Sequence, residues 1–135
     1  MKRILIYTDG AARGNPGPAG AGAVLIDEDG AILAEVSRYL GKTTNNQAEY
    51  QALVLALEEA KKLSADELNI FSDSELLVKQ IKGEYRVKND GLKPLFKLVQ
   101  GKLQHFGKYK IEYLPRERNA HADRLANRAI DEYDH

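Results

Sequence analysis

Ile4-Leu5-Ile6-Tyr7-Thr8-Asp9-Gly10 reads as a short apolar strand that ends in an acid. Leu5 and Tyr7 alternate with Ile4 and Ile6, so both faces of residues 2 to 8 are apolar. That pattern belongs to a strand covered on both sides, and such a strand is central in its sheet. Residues 10 to 20, Gly10-Ala11-Ala12-Arg13-Gly14-Asn15-Pro16-Gly17-Pro18-Ala19-Gly20, carry glycine and proline too densely for a helix or a central strand. Ala21 to Ile26 and Ala31 to Leu40 read as two more strands, joined through Asp27-Glu28-Asp29-Gly30 as a tight hairpin turn.

Lys42-Thr43-Thr44-Asn45-Asn46 is a polar connection in which Asn45 or Asn46 suits the cap of the next helix. That helix is expected to run to about Leu63, with Leu53, Ala56, Leu57 and Ala60 as its apolar stripe. Glu67 to Phe71 is a short strand with Leu68 and Ile70 on one face, and Ser72-Asp73-Ser74-Glu75 opens a helix carrying Leu76, Leu77, Gln80 and Ile81. After a polar break from Gly83 to Asp90, a helix over about Leu92 to Phe106 carries Leu95, Phe96, Leu98, Val99 and Leu103. Lys110 to Leu114 is the last strand, Pro115 to Asn119 a short loop, and Ala120 to Tyr133 the final helix. An antiparallel meander followed by alternating helices and strands predicts an α/β fold: a mixed five-stranded sheet, its first three strands antiparallel, flanked by helices on both faces. A ligand site is then expected at the C-terminal ends of the parallel strands.

The chain of 135 residues predicts one domain over residues 1–135 with a real core. Twenty basic residues balance twenty acidic ones, so any contact with a polyanion must come from a local patch. There is no cysteine, which excludes disulfides and thiolate metal sites and fits a reducing, cytoplasmic setting. No run of eighteen apolar residues is present to span a membrane.

Four acids stand at the entrances of these elements. Asp9 precedes a glycine, and an Asp-Gly pair is ordinarily a turn. Glu49 is explained as well by a capping box with Asn46, although Leu53, Ala56 and Ala60 place it on or beside a buried stripe. Asp73 and Asp123 each suit the electrostatics of a helix start, with Ser72 as a cap beside Asp73. Each bland explanation is adequate singly. Together, four carboxylates converging at one sheet edge would repel one another and bind protons. A divalent cation removes that conflict, and an all-oxygen donor set favours magnesium or manganese. Two such ions suit in-line phosphodiester cleavage, one activating the attacking water and the other stabilising the leaving oxygen.

The chain resembles type 1 ribonuclease H over almost its whole length. The resemblance is carried by Tyr7-Thr8-Asp9-Gly10 with Gly14-Asn15-Pro16-Gly17-Pro18-Ala19-Gly20, by Thr44-Asn45-Asn46-Gln47-Ala48-Glu49, by Ser72-Asp73-Ser74, and by Asn119-Ala120-His121-Ala122-Asp123-Arg124-Leu125-Ala126. It implies endonucleolytic cleavage of the RNA strand of an RNA–DNA hybrid to 5'-phosphate and 3'-hydroxyl ends. Asp9, Glu49, Asp73 and Asp123 would be the catalytic and metal-binding residues. Two magnesium ions would act with substrate bound, and manganese would substitute. The resemblance places Gly10, Arg13, Asn15 and Asn46, with Glu49, along the RNA strand, where the 2'-hydroxyl distinguishes RNA from DNA. It places Ser74 and Gln80 toward the minor groove and Thr44 toward a DNA phosphate. The expected partner is the hybrid alone, bound by a monomer with no obligate protein partner and no membrane.

Two departures from many bacterial relatives are visible. Lys82 to Leu92 is too short for their basic, tryptophan-rich protrusion, yet residues 79 to 110 hold nine lysines and arginines against Glu84 and Asp90, a phosphate-facing patch or a solvated helix face. Pro115 to Asn119 is too short to hold the family's mobile histidine, and His121 does not match it by position. Arg116 or Arg118, with His121, are the auxiliary candidates; an arginine offsets developing charge but is no base at neutral pH. The pattern resembles compact archaeal and some bacterial members. The competing readings are a metal nuclease of the same fold with broader substrates and a catalytically silent nucleic-acid-binding module. The asparagine-rich turn before Glu49 favours the hybrid-directed form, and the complete acid quartet disfavours a mere binder.

Overall fold

The computed structural model describes residues 2–133. Five strands form one mixed sheet in the order β3-β2-β1-β4-β5: β1 (Arg3–Ala12), β2 (Gly17–Ile26), β3 (Ile32–Thr43), β4 (Glu67–Ser72) and β5 (Lys108–Tyr113). β1 pairs antiparallel with β2 and parallel with β4, β2 pairs antiparallel with β3, and β4 pairs parallel with β5. The helices are α1 (Asn45–Lys62), α2 (Glu75–Ile81), α3 (Lys93–Leu103) and α4 (Ala120–Tyr133). The mixed sheet and its central first strand are as expected.

The sheet's two faces are dressed differently. Ile4, Ile6, Leu25, Leu68, Ile70 and Ile111 belong to one buried cluster with Leu53, Ala56, Leu57 and Ala60 of α1 and Val99 and Leu103 of α3. On the opposite face α4 is the one helix among the described residues, burying Ala122, Leu125, Ala126, Ala129 and Ile130. No helix among the described residues is long and apolar enough to cross a membrane.

The glycine-rich stretch corrects the expectation for residues 10 to 20. Gly10 to Ala12 continue β1, and Gly17 to Gly20 open β2, leaving only Arg13 to Pro16 as the turn, closed by Arg13 N–H donating to the Pro18 carbonyl at 2.8 Å. These glycines make room for helices. A Cβ on Gly20 would collide with the Ala126 carbonyl, and one on Gly22 with the Ala122 carbonyl. The backbone of α4 therefore lies directly on β2, an approach that no local propensity registers.

Smaller corrections have similar causes. α1 is capped by Thr44, not Asn45 or Asn46: its hydroxyl accepts from Gln47 N–H at 3.1 Å while the Gln47 side chain reaches back to Thr44 N–H at 3.1 Å. α2 is capped by Ser74, not Ser72, whose hydroxyl instead accepts from Ser74 N–H at the end of β4. The third helix stops at Leu103, short of Phe106, and Leu98 lies on its solvent face, because Leu92, Val99 and Leu103 define the buried side. The last strand begins at Lys108, two residues early, in register with Glu67. Arg116–Arg118 form one 3-10 turn within the expected loop.

The close approach is testable with one paired substitution. Gly22→Ala is expected to lower stability by about 2 kcal/mol through overpacking against α4. Gly101→Ala, in open space on α3, is expected to raise it by about 0.5–1 kcal/mol, since glycine is a poor helix former. Urea denaturation midpoints of the two variants check both signs.

Candidate active site

Two pairings build the site. The parallel register of β1 and β4 sets Thr8 beside Ser72, so the next residues, Asp9 and Asp73, emerge side by side. Asp9 is not past the strand end, as expected, but within β1 opposite Gly22. Asp73 fills the single position between β4 and the Ser74 cap of α2.

Glu49 arrives by close packing. A Cβ on Gly10 would strike the backbone of Ala48 and Glu49, so the glycine lets α1 lie against β1. The Gly10 N–H donates to Glu49 Oε1. Because Thr44 and Gln47 complete the capping box, Glu49 has no capping duty, and it is buried. Carboxylate oxygens of Asp9, Glu49 and Asp73 all lie within 4.8 Å of one another.

Asp123 stands alongside this trio and outside it. It is carried by α4 and half-buried; Asn127 Nδ2 donates to its carbonyl at 3.0 Å and to its carboxylate at 3.3 Å. Arg116 Nη2 is 3.8 Å from Asp123 Oδ1. Three of the four predicted acids converge tightly, and the fourth lines the same cavity of about 450 Å³.

Crowding and burial dominate the electrostatics. Burial, then the charges of Glu49 and Asp73 and the nearby Asp123, pushes Asp9 up to about 10. Burial and the Asp73 charge push Glu49 up to about 8 against the Gly10 N–H, the Asp9 carboxyl and Arg116, all of which favour its ionised form. Asp73 is also raised, chiefly by burial, while hydrogen bonds from Asp9 and Asn119 and the Arg116 charge oppose the shift. The free cluster therefore holds protons at neutral pH. Three convergent oxygen donors that resist ionising together fit one class of ligand, a hard divalent cation.

The other predicted residues divide. Gly10, Arg13, Ser74 and Arg116 line the acid cavity, and Asn15 borders it through Oδ1, which accepts from Asn45 N–H at 3.1 Å. Asn45, not Asn46, lines the cavity; Asn46 is exposed on the first turn of α1. Thr44 is committed to the α1 cap. Gln80 is buried, accepting from the Tyr50 hydroxyl at 2.6 Å, so its carbonyl is not free for substrate. Arg118 and His121 line a different cavity beside Tyr7, where His121 Nε2 lies 2.6 Å from Glu35 Oε2. Arg118 and His121 thus lie apart from the acid cavity, and Arg116 lines it. Asn127 was missed, although its place one turn after Asp123 was the available signal.

A family profile described as reverse transcriptase-like matches residues 7–129. A bifunctional protein of Mycobacterium tuberculosis is 44% identical over 130 residues, covering 96% of this chain and 36% of that protein. A ribonuclease HI of Halobacterium salinarum is 42% identical over 130 residues, covering 96% of this chain and 65% of that protein. The chain thus spans about a third of the first relative's length and just under two thirds of the second's. The RNase H1 crystal structure from Halobacterium salinarum superposes with a TM-score of 0.94 over 96% of this chain and 98% of that one. An RNase H1 isolated from compost, solved in complex with an RNA/DNA hybrid, is 46% identical with a TM-score of 0.92, covering 98% of this chain and 99% of that one.

The raised carboxylates make stability depend on pH in a defined direction. The ordinary values are 3.8 for Asp9 and 4.5 for Glu49, against about 10 and about 8 in the fold. Over those windows the folded state binds more protons than the unfolded state, so stability falls as pH rises. In chelator, the melting temperature is expected to drop between about pH 5 and pH 8, and Asp9→Asn to raise stability near neutrality by about 1 kcal/mol. Calorimetric melts across that range check the slope; a rising or flat profile contradicts it.

Proposed function

The chain belongs to the type 1 ribonuclease H family, and from that membership we propose that it hydrolyses the RNA strand of RNA–DNA hybrids, leaving 5'-phosphate and 3'-hydroxyl ends. The observation that carries this reading is the convergence of Asp9, Glu49 and Asp73 within 4.8 Å at the end of the parallel strand pair. That a relative of 46% identity was solved in complex with an RNA/DNA hybrid supports the substrate.

The proposed ion is magnesium, with manganese as substitute, held by Asp9, Glu49 and Asp73 with Asp123 beside them. When bound, it supplies Lewis-acid stabilisation of the charge that develops at the reacting phosphate. Asp9 and Glu49 must release protons to hold it, so the site is loaded at the expense of the proton-bound state described above. Gly10 N–H fixes one oxygen of Glu49. Arg116, which lines the cavity, offsets negative charge there without serving as a base. Water adds to phosphorus, the bond to the 3'-oxygen breaks, and that oxygen leaves with a proton. Gly10, Arg13, Asn15, Asn45 and Ser74 border the acids and are the proposed contacts to the RNA strand, the 2'-hydroxyl being the feature read there.

A second groove of about 830 Å³ lies beyond Gln80 and is lined by Tyr85, Arg86, Lys88, Lys93 and Lys97. These cations are proposed to meet backbone phosphates in place of the missing protrusion. The proposal further includes a monomer acting without a protein partner, and a cytoplasmic place of action consistent with a cysteine-free chain.

Asp73→Asn is expected to retain the fold and lose at least about a hundredfold in cleavage, since it alters an inner ligand. The assay compares labelled RNA–DNA hybrid, duplex RNA and duplex DNA with magnesium, manganese or chelator. Cleavage of none of them would favour a binding module, and equal cleavage of duplex RNA a broader nuclease. Arg86→Ala and Lys88→Ala are each expected to weaken hybrid binding and reduce its salt slope by about one, read from affinity at several salt concentrations.

A further inference from the structure

Asn119 is 2% exposed and sits immediately before α4, where its carbonyl accepts from Asp123 N–H at 3.1 Å. A residue there ordinarily turns its side-chain oxygen onto the first free N–H groups of the helix. Asn119 does not. Its Oδ1 has no hydrogen-bond partner among the protein's groups, and its Nδ2 points away from the helix, donating to the Thr8 carbonyl of β1 at 2.8 Å. The same side chain also favours the ionised form of the Asp73 carboxylate. A buried acceptor left unpaired and a helix cap forgone both cost stability, so the side chain is held where it is by something other than helix capping.

What it reaches explains the placement. Thr8 precedes Asp9, Ser72 beside Thr8 precedes Asp73, and Asp123 is the residue whose N–H the Asn119 carbonyl accepts. We propose that Asn119 is the positioning residue of the acid cluster: its buried amide ties the start of the helix carrying Asp123 to the strand carrying Asp9, through the Thr8 carbonyl beside Ser72 and Asp73, and so holds the acids at the spacing that a divalent cation requires. Asparagine suits this because a carboxamide offers an uncharged N–H donor to the Thr8 carbonyl beside the acids. Aspartate would set a further charge against Asp73, and serine offers a single donor on a shorter stem. The inference rests on the cation-dependent hydrolase reading.

Asn119→Ser separates positioning from folding, because serine is a good helix cap and restores the interaction that asparagine forgoes. Asn119→Ala is the companion variant. Three quantities are measured on the full chain: melting temperature in chelator, Mn²⁺ affinity by titration calorimetry, and kcat and KM on labelled hybrid at several Mn²⁺ concentrations. Asn119→Ser is expected to melt at or above the parent, to bind Mn²⁺ at least about tenfold more weakly, and to lose kcat with KM held within about twofold. Excess Mn²⁺ should recover part of that rate. Asn119→Ala should show the same loss of Mn²⁺ affinity with a lower melting temperature. Parent-like Mn²⁺ affinity and kcat in Asn119→Ser would overturn the proposal, as would a rate loss that excess Mn²⁺ does not recover. If the parent binds Mn²⁺ but cleaves no hybrid, the hydrolase reading fails, while the affinity comparison still decides the role of Asn119.

Discussion

Carboxylate oxygens of Asp9, Glu49 and Asp73 within 4.8 Å of one another, two of the side chains buried, are the constraint around which the architecture is arranged. Such a group is unfavourable by itself: desolvation and mutual repulsion push Asp9 to about 10 and Glu49 to about 8. A fold tolerates this only where the surrounding structure over-determines the positions. Here β1 holds Asp9 in a ladder with β2, one residue beyond its pairing with β4, and α1 is pinned to β1 through Gly10. Asp73 occupies the one residue between a strand and the Ser74 cap of a helix.

The stabilising interior lies apart from the acids. Ile4, Ile6, Leu53, Leu57, Leu68 and Ile70 are almost fully buried between the sheet and α1, while the acid cavity opens beyond Thr8 and Ser72. This division allows the site to be electrostatically strained without loosening the core. It also leaves Asp123 as the adaptable member. Among the described residues α4 is the only helix on its face, and it touches β2 through Gly20 and Gly22, and the Asp123 side chain is less buried than those of Asp9 and Glu49.

Much of this was legible in the residues, and the failures were of one physical kind. Alternation in Ile4 to Tyr7 and the stripe at Leu53, Ala56, Leu57 and Ala60 are local patterns, and they identified a central strand and its covering helix. Gly20 was read as part of a breaker-rich stretch and Gly22 only as a strand residue, because a glycine's value as a contact point depends on a helix far along the chain. Glu49 was open to a capping explanation until Thr44 and Gln47 were seen to close the box, leaving the glutamate free. Gln80 and His121 looked available from their types alone, but Tyr50 and Glu35 engage them. Asn127 escaped notice, and Asn119 entered only as part of a motif with no role of its own, because short polar residues near helix starts and turns have so many ordinary uses.

Where a cation binds is the decisive property of this site. Diffraction from crystals soaked in manganese, recorded at a wavelength where manganese scatters anomalously, addresses this directly. A strong anomalous peak in contact with carboxylate oxygens of Asp9, Glu49 and Asp73, with Asp123 beside it, is the predicted result. Occupied manganese sites elsewhere on the molecule, with no peak between these three side chains at neutral pH, would contradict it.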